Sequence, residues 1–221
     1  STTDSKTATL TVSAPADDDT GSGNTGAVVE VNGEKQDAGQ TATQTSGGQT
    51  VTTITVDDTK LGIILAQKGS NATVTLPVNT AADVVVGVLN GQTVKNMESK
   101  DAVLIIKTNN VSYTLPASQI NIDSVLSQLG AQVALKDIKV NVRIAEPSAE
   151  TIKVVEDTAK KGNYQLVVRP VEFGISCTSG NKTVAVNRFN GYVERLIAIP
   201  NGVSHSKIAT GIVLNAEGSF R

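Results

Sequence analysis

The 221-residue sequence contains no tryptophan and only one histidine, one cysteine and one methionine. Three tyrosines and three phenylalanines are the only aromatic residues, so aromatic side chains make up 3% of the chain. With a single histidine and a single cysteine, zinc sites built from imidazole and thiolate ligands are excluded. A disulfide within the chain is excluded because it needs two cysteines. The hydrophobic core must therefore consist mainly of valine, isoleucine, leucine and alanine.

The sequence also lacks any apolar run near the roughly 20 residues of a membrane-spanning helix, and it shows no signal-peptide pattern. The formal net charge is −2, and no basic run is longer than Lys160-Lys161. This charge gives no general reason to expect binding to nucleic acid or to an anionic membrane surface. Because a β pattern is already running at Ser1, we expect the sequence to be a mature or excised piece of a longer chain.

Valine and threonine, whose branched side chains favour extended backbone, are abundant throughout. Short alternating runs of apolar and polar residues are separated by turn signals such as Asn32-Gly33 and Asn90-Gly91. The continuous apolar run Leu61–Leu65 predicts a strand buried on both faces. Residues 138 to 144 alternate strictly, which predicts a strand that points its isoleucines and valines inward. The fold class predicted from this pattern is mainly β, sandwich-like and antiparallel.

Two helical patterns interrupt the strands, so we predict two short embedded α-helices. The first has Asp123 as its N-cap and Gly130 just after its last turn. The second runs from about residue 148 to residue 161. Glu150 in its first turn and Lys160-Lys161 in its last turn both suit the helix dipole.

The stretch from residue 163 to residue 200 contains four of the six aromatic side chains, so we expect the densest part of the core there. Apolar and polar residues alternate up to Cys177, a turn follows at residues 178 to 181, and a further strand is predicted at Val193–Ile199. Because Cys177 falls on the apolar face of its strand, we predict a buried structural thiol.

Three segments are predicted along the chain. Residues 1–14 form a lone strand in which Ala8, Leu10 and Val12 alternate with threonines, and such a strand must join a sheet to be stable. Residues 15–26 are a flexible, acidic and glycine-rich linker. Residues 27–221 form a β-rich domain, which divides into two β-halves (27–145 and 163–221) joined by the helix at 148–161.

Two motifs in the linker imitate ligand sites. Gly21-Ser22-Gly23-Asn24-Thr25-Gly26 matches the dinucleotide fingerprint, but a β pattern follows it where the fingerprint needs a helix. Asp17, Asp18 and Asp19 lack the spaced ligands and closing glutamate of a calcium loop. We therefore expect a solvated linker, with no cofactor and no metal.

Catalytic arrangements have little support in the sequence. Glu172 and Glu194 lie on predicted neighbouring strands, as a glycosidase pair would, but nearby arginines favour surface ion pairs. A Ser-His-Asp triad would have to use His205, and no serine in the sequence lies in a nucleophile-elbow motif. For sugar stacking, only Tyr113 and Tyr192 fall at positions that could be exposed. No lysine lies plainly on an apolar face, as a Lys–Asn isopeptide bond would need. We expect the protein not to be an enzyme.

The run Phe189–Val203 (FNGYVERLIAIPNGV), followed by Ala209–Val213 (ATGIV), resembles a segment of large surface proteins of Gram-positive bacilli. In those proteins the segment lies just ahead of C-terminal S-layer homology repeats, which this sequence lacks. The similarity covers roughly residues 101–221, and residues 1–14 resemble the last strand of an immunoglobulin-like repeat. The resemblance implies an exported, wall-associated protein with a β-rich spacer or assembly module, and it carries over no catalytic residues.

The sequence therefore predicts a non-enzymatic structural or assembly module of a secreted, S-layer-associated cell-surface protein. Ala8, Leu10 and Val12 are the candidate interface residues, because a detached strand and a flexible linker are the parts of a donor-strand fibre. The expected partner is a second copy or a neighbouring surface module, not nucleic acid and not a membrane. The alternative is a carbohydrate-binding or adhesive domain whose partner is cell-wall polysaccharide.

Overall fold

The computed structural model describes residues 25–130, 132–204, 206, 208 and 211. Within them the fold is mainly β, with eleven strands in one mixed sheet, four α-helices and two 3₁₀ turns. The strands are β1 (Thr25–Val31), β2 (Glu34–Ser46), β3 (Gln49–Val56), β4 (Thr73–Pro77), β5 (Val84–Asn90), β6 (Val103–Lys107), β7 (Val111–Pro116), β8 (Lys139–Ala145), β9 (Glu172–Ser179), β10 (Lys182–Ala185) and β11 (Glu194–Ile197). The helices are α1 (Asp58–Lys68), α2 (Gly91–Glu98), α3 (Ile122–Leu129) and α4 (Ala149–Lys161), and the 3₁₀ turns are Ala117–Ile120 and Leu135–Asp137.

The strand order across the sheet is β10-β9-β8-β5-β3-β2-β1-β4-β6-β7-β11. The β3–β5 and β4–β6 pairs are parallel, and the other pairs are antiparallel. Each parallel pair is joined by a connection that contains a helix, α1 in one case and α2 in the other, as parallel strands require. Strands from both predicted β-halves belong to this sheet, because β9 pairs with β8 and β11 pairs with β7.

The sheet curls into a half-barrel, so strands far apart in the strand order meet. Tyr113 on β7 and Phe173 on β9 make an edge-to-face ring contact with their centroids 5.1 Å apart. Across the interior, a Cβ atom added to Gly87 of β5 would lie 2.8 Å from the side chains of Leu76 on β4 and Ile106 on β6. The core lies inside this curl.

The predicted aliphatic core is confirmed. Alternate side chains of β8 are buried in the core. Helices α1, α2 and α3 each bury the side chains of one face. The largest buried side chains are Tyr113, Leu61, Leu65, Leu76, Leu89, Met97, Leu104, Ile106, Leu115, Ile120, Ile122 and Leu129. Cys177 is fully buried, as predicted.

Several local predictions are confirmed. Asn32 and Gly33 join β1 to β2 with φ values of 52° and 82°, the positive angles of a two-residue hairpin turn. Gly180, with a φ of 57°, turns the chain between β9 and β10. Helix α4 follows Ser148, whose hydroxyl accepts a hydrogen bond from the Thr151 N–H at 3.2 Å. This contact satisfies one of the unpaired donors at the helix start.

The prediction of a strand at Leu61–Leu65 is wrong, because these residues lie in α1. Asp57 caps this helix by accepting a hydrogen bond from the Lys60 N–H at 3.0 Å. Leu61 and Leu65 are four residues apart, so they lie on one face of the helix and are both buried. A short apolar run alone does not separate a buried strand from the buried face of a helix.

The prediction of only two helices is also wrong. Asn90-Gly91 does not turn a hairpin; instead the Asn90 side chain accepts a hydrogen bond from the Thr93 N–H at 2.7 Å and caps α2. Asp123 is not the cap of α3, which follows Asn121, and lies instead in the first turn. Residues that favour tight turns also favour helix N-caps, which explains the error at Asn90.

The layout of the strands differs from the predicted antiparallel sandwich. There is one curled sheet, and it is mixed because the helical connections through α1 and α2 place two strand pairs in parallel. The densest core is not in the stretch from residue 163 to residue 200 either. Tyr164 is 59% exposed and Tyr192 is 79% exposed, whereas Tyr113 is buried.

Candidate functional site

The two ends of the described sheet, β10 and β11, differ in chemistry. Strand β10 carries Lys182, whose ammonium donates a hydrogen bond to the Leu129 carbonyl at 2.8 Å, at the end of α3. Thr183 and Ala185 complete a short edge that is polar or small. A lysine on a short edge strand is a common device against pairing with another chain.

Strand β11 is largely exposed, and it carries two charged and two apolar side chains. Within the described residues it pairs only with β7. Leu196 is 55% exposed, and Ile197 and Ile199 are each 37% exposed. Together with Tyr192 they supply four of the nine large hydrophobic side chains that are exposed in the described part of the chain. We call residues 192–199 the β11 edge.

Arg195 attaches the β11 edge to the inside of the curl. It lies directly opposite Tyr113 in the β7–β11 register. Its guanidinium carbon is 5.3 Å from the ring centroid of Tyr113, 5.6 Å from that of Phe173 and 5.7 Å from that of Phe189. Such distances allow cation–π attraction. Arg195 therefore bridges β7, β9 and the connection between β10 and β11.

Burial raises the pKa of the Tyr113 phenol, and the positive charge of Arg195 opposes that shift. Tyr113 is therefore a neutral ring that packs beneath the guanidinium. Since directly opposed residues share a face of the sheet, Arg195 points inward with Tyr113 and Leu196 points outward. The inner face of the β11 edge is thus anchored through Arg195, and its outer face carries Glu194 and Leu196. Within the described residues, the side of β11 away from β7 pairs with no other strand, which is the arrangement that a further strand can extend.

A second feature is a cleft where β1 separates from β4. Their pairing is limited to Glu30 with Thr75 and Val31 with Val74. Two residues further along β4 is Pro77, which has no N–H to donate across the gap, so the ladder stops there. One side of the cleft, with a volume of about 410 Å³, is lined by Val28, Glu30, Lys35, Pro77, Asn79, Lys107, Thr108 and Asn109. The other side, of about 240 Å³, is mostly apolar and includes Ala27, Ile54 and Val78.

The single cysteine lies away from both features. Burial raises the pKa of the Cys177 thiol to about 12, so it stays protonated at neutral pH. A thiol becomes a nucleophile only as the thiolate. Cys177 is therefore a packing residue of β9.

We expect Cys177 not to react with a disulfide reagent such as dithiobis(nitrobenzoate) at pH 8 while the protein is folded. In strong denaturant, one thiol per chain should react within minutes, because unfolding restores both access and an ordinary pKa. Absorbance of the released thionitrobenzoate measures both states. Rapid reaction of the folded protein would contradict the burial of this side chain.

Lys95 forms the closest ion pair in the described residues, with its Nζ atom 2.5 Å from Asp123 and 3.1 Å from Glu98. The hydrogen bond to Asp123 raises the pKa of the Lys95 ammonium most, and the hydrogen bond to Glu98 raises it further. An isopeptide bond needs an uncharged lysine in an apolar setting, whereas Lys95 is charged and Asp123 is exposed. The cluster is therefore an ion-pair network between α2 and α3.

The carboxylates considered for catalysis do not lie on neighbouring strands, because β9 and β11 are near opposite ends of the strand order. Glu172 accepts a hydrogen bond from Arg143 at 2.9 Å, and Arg169 is 3.5 Å from Glu146. In the described part of the chain, no group of three or more His, Cys, Asp or Glu side chains could hold a metal ion. None of the helices described is long and apolar enough to cross a membrane.

The predicted donor-strand residues Ala8, Leu10 and Val12 lie outside the described residues, as do Asp17, Asp18, Asp19 and His205. The β11 edge was predicted as a strand, but its position at the end of the sheet was not. The link between Arg195 and three aromatic rings was also missed, because Tyr113 comes from a distant part of the sequence. No protein-family model matches the chain, and neither the curated proteins nor the solved structures include a match.

Proposed function

We propose that this chain is a non-enzymatic structural and assembly module of an exported bacterial cell-surface protein associated with an S-layer. The observation that carries the proposal is the β11 edge, which exposes four large apolar side chains and whose strand pairs on one side only within the described residues. An edge of this kind is a template for a strand from another chain. The function would then be cohesion between modules.

The other described groups favour a structural role. The charged side chains that contact one another do so as surface ion pairs, such as Arg143 with Glu172 and Lys68 with Glu34. The thiol of Cys177 packs in the core. The resemblance to the segment that precedes S-layer homology repeats includes the whole β11 edge, which supports a role at the cell surface.

In the proposed assembly, residues 1–14 of one copy add to the sheet of the next copy. The acceptor and the donor are different surfaces, so the contact is head-to-tail and builds a fibre. Deleting residues 1–14 removes the donor, and Leu196→Lys places a charge in the acceptor. Ile63→Lys is the matched control, because Ile63 on α1 is similarly exposed at 58% but lies away from the sheet edge.

We expect negative-stain electron microscopy to show elongated assemblies for the full chain and for Ile63→Lys. The deletion variant and Leu196→Lys should stay monomeric, because each lacks one half of the contact. Circular dichroism checks that every variant remains folded. Uniform monomers of the full chain at all concentrations would end this proposal.

The cleft between β1 and β4 favours a second candidate function, the binding of carbohydrate at the cell wall. Amide and charged side chains line its polar side, and such groups bind sugar hydroxyls. None of the described residues that line the two sides is aromatic, so they offer no stacking surface for a sugar. A glycan array and retention on cell-wall polysaccharide discriminate this candidate from the structural one.

A further inference from the structure

We propose that the β11 edge accepts residues 6–12 of a second copy as an antiparallel strand. This inference rests on the proposed assembly function and identifies its acceptor edge, the strand direction and the source of the donor. Strand β10 is the other candidate acceptor, but Lys182 is bonded to the end of α3 and the edge exposes no large apolar side chain. The β11 edge exposes four of them.

The donor pattern fits the two faces of the β11 edge. Arg195 and Ile197 point to the inside of the curl, and Leu196 points outward. When Ala8, Leu10 and Val12 also point inward, they extend the apolar interior, and the threonines between them face water. The antiparallel register that centres these residues on the edge pairs Leu10 with Arg195 and Thr9 with Leu196, and shifts by two residues keep the same faces.

Strand directions favour a donor from a second copy. The pairings from β1 through β4, β6 and β7 to β11 place Glu30 level with Glu194, and β11 runs opposite to β1. A strand antiparallel to β11 therefore runs parallel to β1, the strand that follows the linker. In the same chain, the linker would have to cross back along the sheet, a connection that packed helices usually make.

Distances point the same way. In this register the crossing from Val12 to Thr25 covers five strand spacings, about 24 Å, and returns about 20 Å along the strands, a path of about 31 Å over the sheet. A relaxed glycine-rich coil of 13 residues spans only about 20 Å. The polar residues of the linker, PADDDTGSGN, would bury nothing on the way. A neighbouring copy needs no such crossing.

The test is disulfide cross-linking in the full-length chain with one cysteine in the donor and one on the edge. Thr7→Cys, Thr9→Cys and Thr11→Cys are each combined with Leu196→Cys and oxidised. The native Cys177 does not interfere, because it is buried and protonated. Two matched controls are Leu10→Cys with Leu196→Cys, which places the thiols on opposite faces, and Thr9→Cys with Thr183→Cys, which tests β10.

We expect a ladder of covalent dimers, trimers and longer species from at least one threonine position with Leu196→Cys, and its complete loss on reduction. Neither control should form a ladder. If elongated assemblies form but only the β10 pair cross-links, the edge assignment is wrong while the assembly function stands. A disulfide confined to monomers would show a donor from the same chain and would overturn the second-copy assignment. If no assemblies form at all, the proposed function itself fails.

Discussion

Replacement of Tyr113 by alanine is expected to lower the free energy of unfolding by about 3–5 kcal/mol, the usual loss for a large aromatic side chain in a core. Tyr113 is 1% exposed, and its ring contacts Phe173 at the point where the curled sheet meets itself. The same ring lies beneath Arg195. Its removal leaves a cavity and also weakens the attachment of β11.

Urea denaturation followed by circular dichroism measures this loss, since the midpoint and slope give the free energy of unfolding. Tyr192→Ala is the matched control, because Tyr192 is 79% exposed. We expect it to change stability by no more than about 0.5 kcal/mol. Equal losses for the two variants would contradict the burial of Tyr113 against Phe173 between β7 and β9.

Amide hydrogen exchange separates the two consequences of Tyr113→Ala. The backbone of β11 should exchange faster relative to that of β8, because β11 is held by β7 and by the Arg195 cluster, whereas β8 lies between two strands. A uniform rise in exchange over the whole sheet would instead indicate global destabilisation alone.

Much of the local structure could be predicted from the sequence. The strict alternation from Ile138 to Ile144 matches β8, and the acid-to-base gradient with Ser148 matches α4. The turn at Asn32-Gly33 was predictable because few residues tolerate two successive positive φ values. These features depend on neighbouring residues in the sequence, so a linear pattern contains enough information to identify them.

The remaining structure depends on contacts between distant residues. The run Leu61–Leu65 is equally suited to a strand and to one face of a helix, and the outcome depends on the Asp57 cap and on what the helix covers. The threonine-rich segment of β2 has too little apolar alternation to be recognised, yet β1 and β3 pair with it on both sides. The backbone hydrogen bonds to β1 and β3 therefore hold this segment as a strand, although its own side chains show no strand pattern.

The same limit applies to the candidate site. The sequence predicts a strand around Arg195, and branched apolar residues explain why. Whether that strand is central or lies at an edge depends on which other strands pair with it, and this is not encoded in its own pattern. The aromatic rings around Arg195 come from β7, from β9 and from the residues before β11. Only the curl of the sheet brings them together.

Gly91→Ala should lower the free energy of unfolding by about 1–3 kcal/mol, the range for overpacking a filled site. A Cβ atom at Gly91 would lie 2.7 Å from the Leu135 carbonyl oxygen and 3.1 Å from the Cβ atom of Ile138. The Gly91 N–H also donates to the Ile138 carbonyl at 2.9 Å, so the two segments cannot separate without loss of that bond. The obstacle is backbone, which cannot move aside as a flexible side chain can.

The matched variant is Gly62→Ala in α1, where a Cβ atom would meet nothing within 4 Å. Alanine is the better helix former by about 1 kcal/mol, so this variant should be more stable than the original chain. The change from glycine to alanine should therefore lower the free energy of unfolding at residue 91 and raise it at residue 62, when both variants are measured by urea denaturation. If Gly91→Ala were also stabilising, α2 would not be held against the Leu135–Asp137 turn, and the start of α2 would be free to shift along β8.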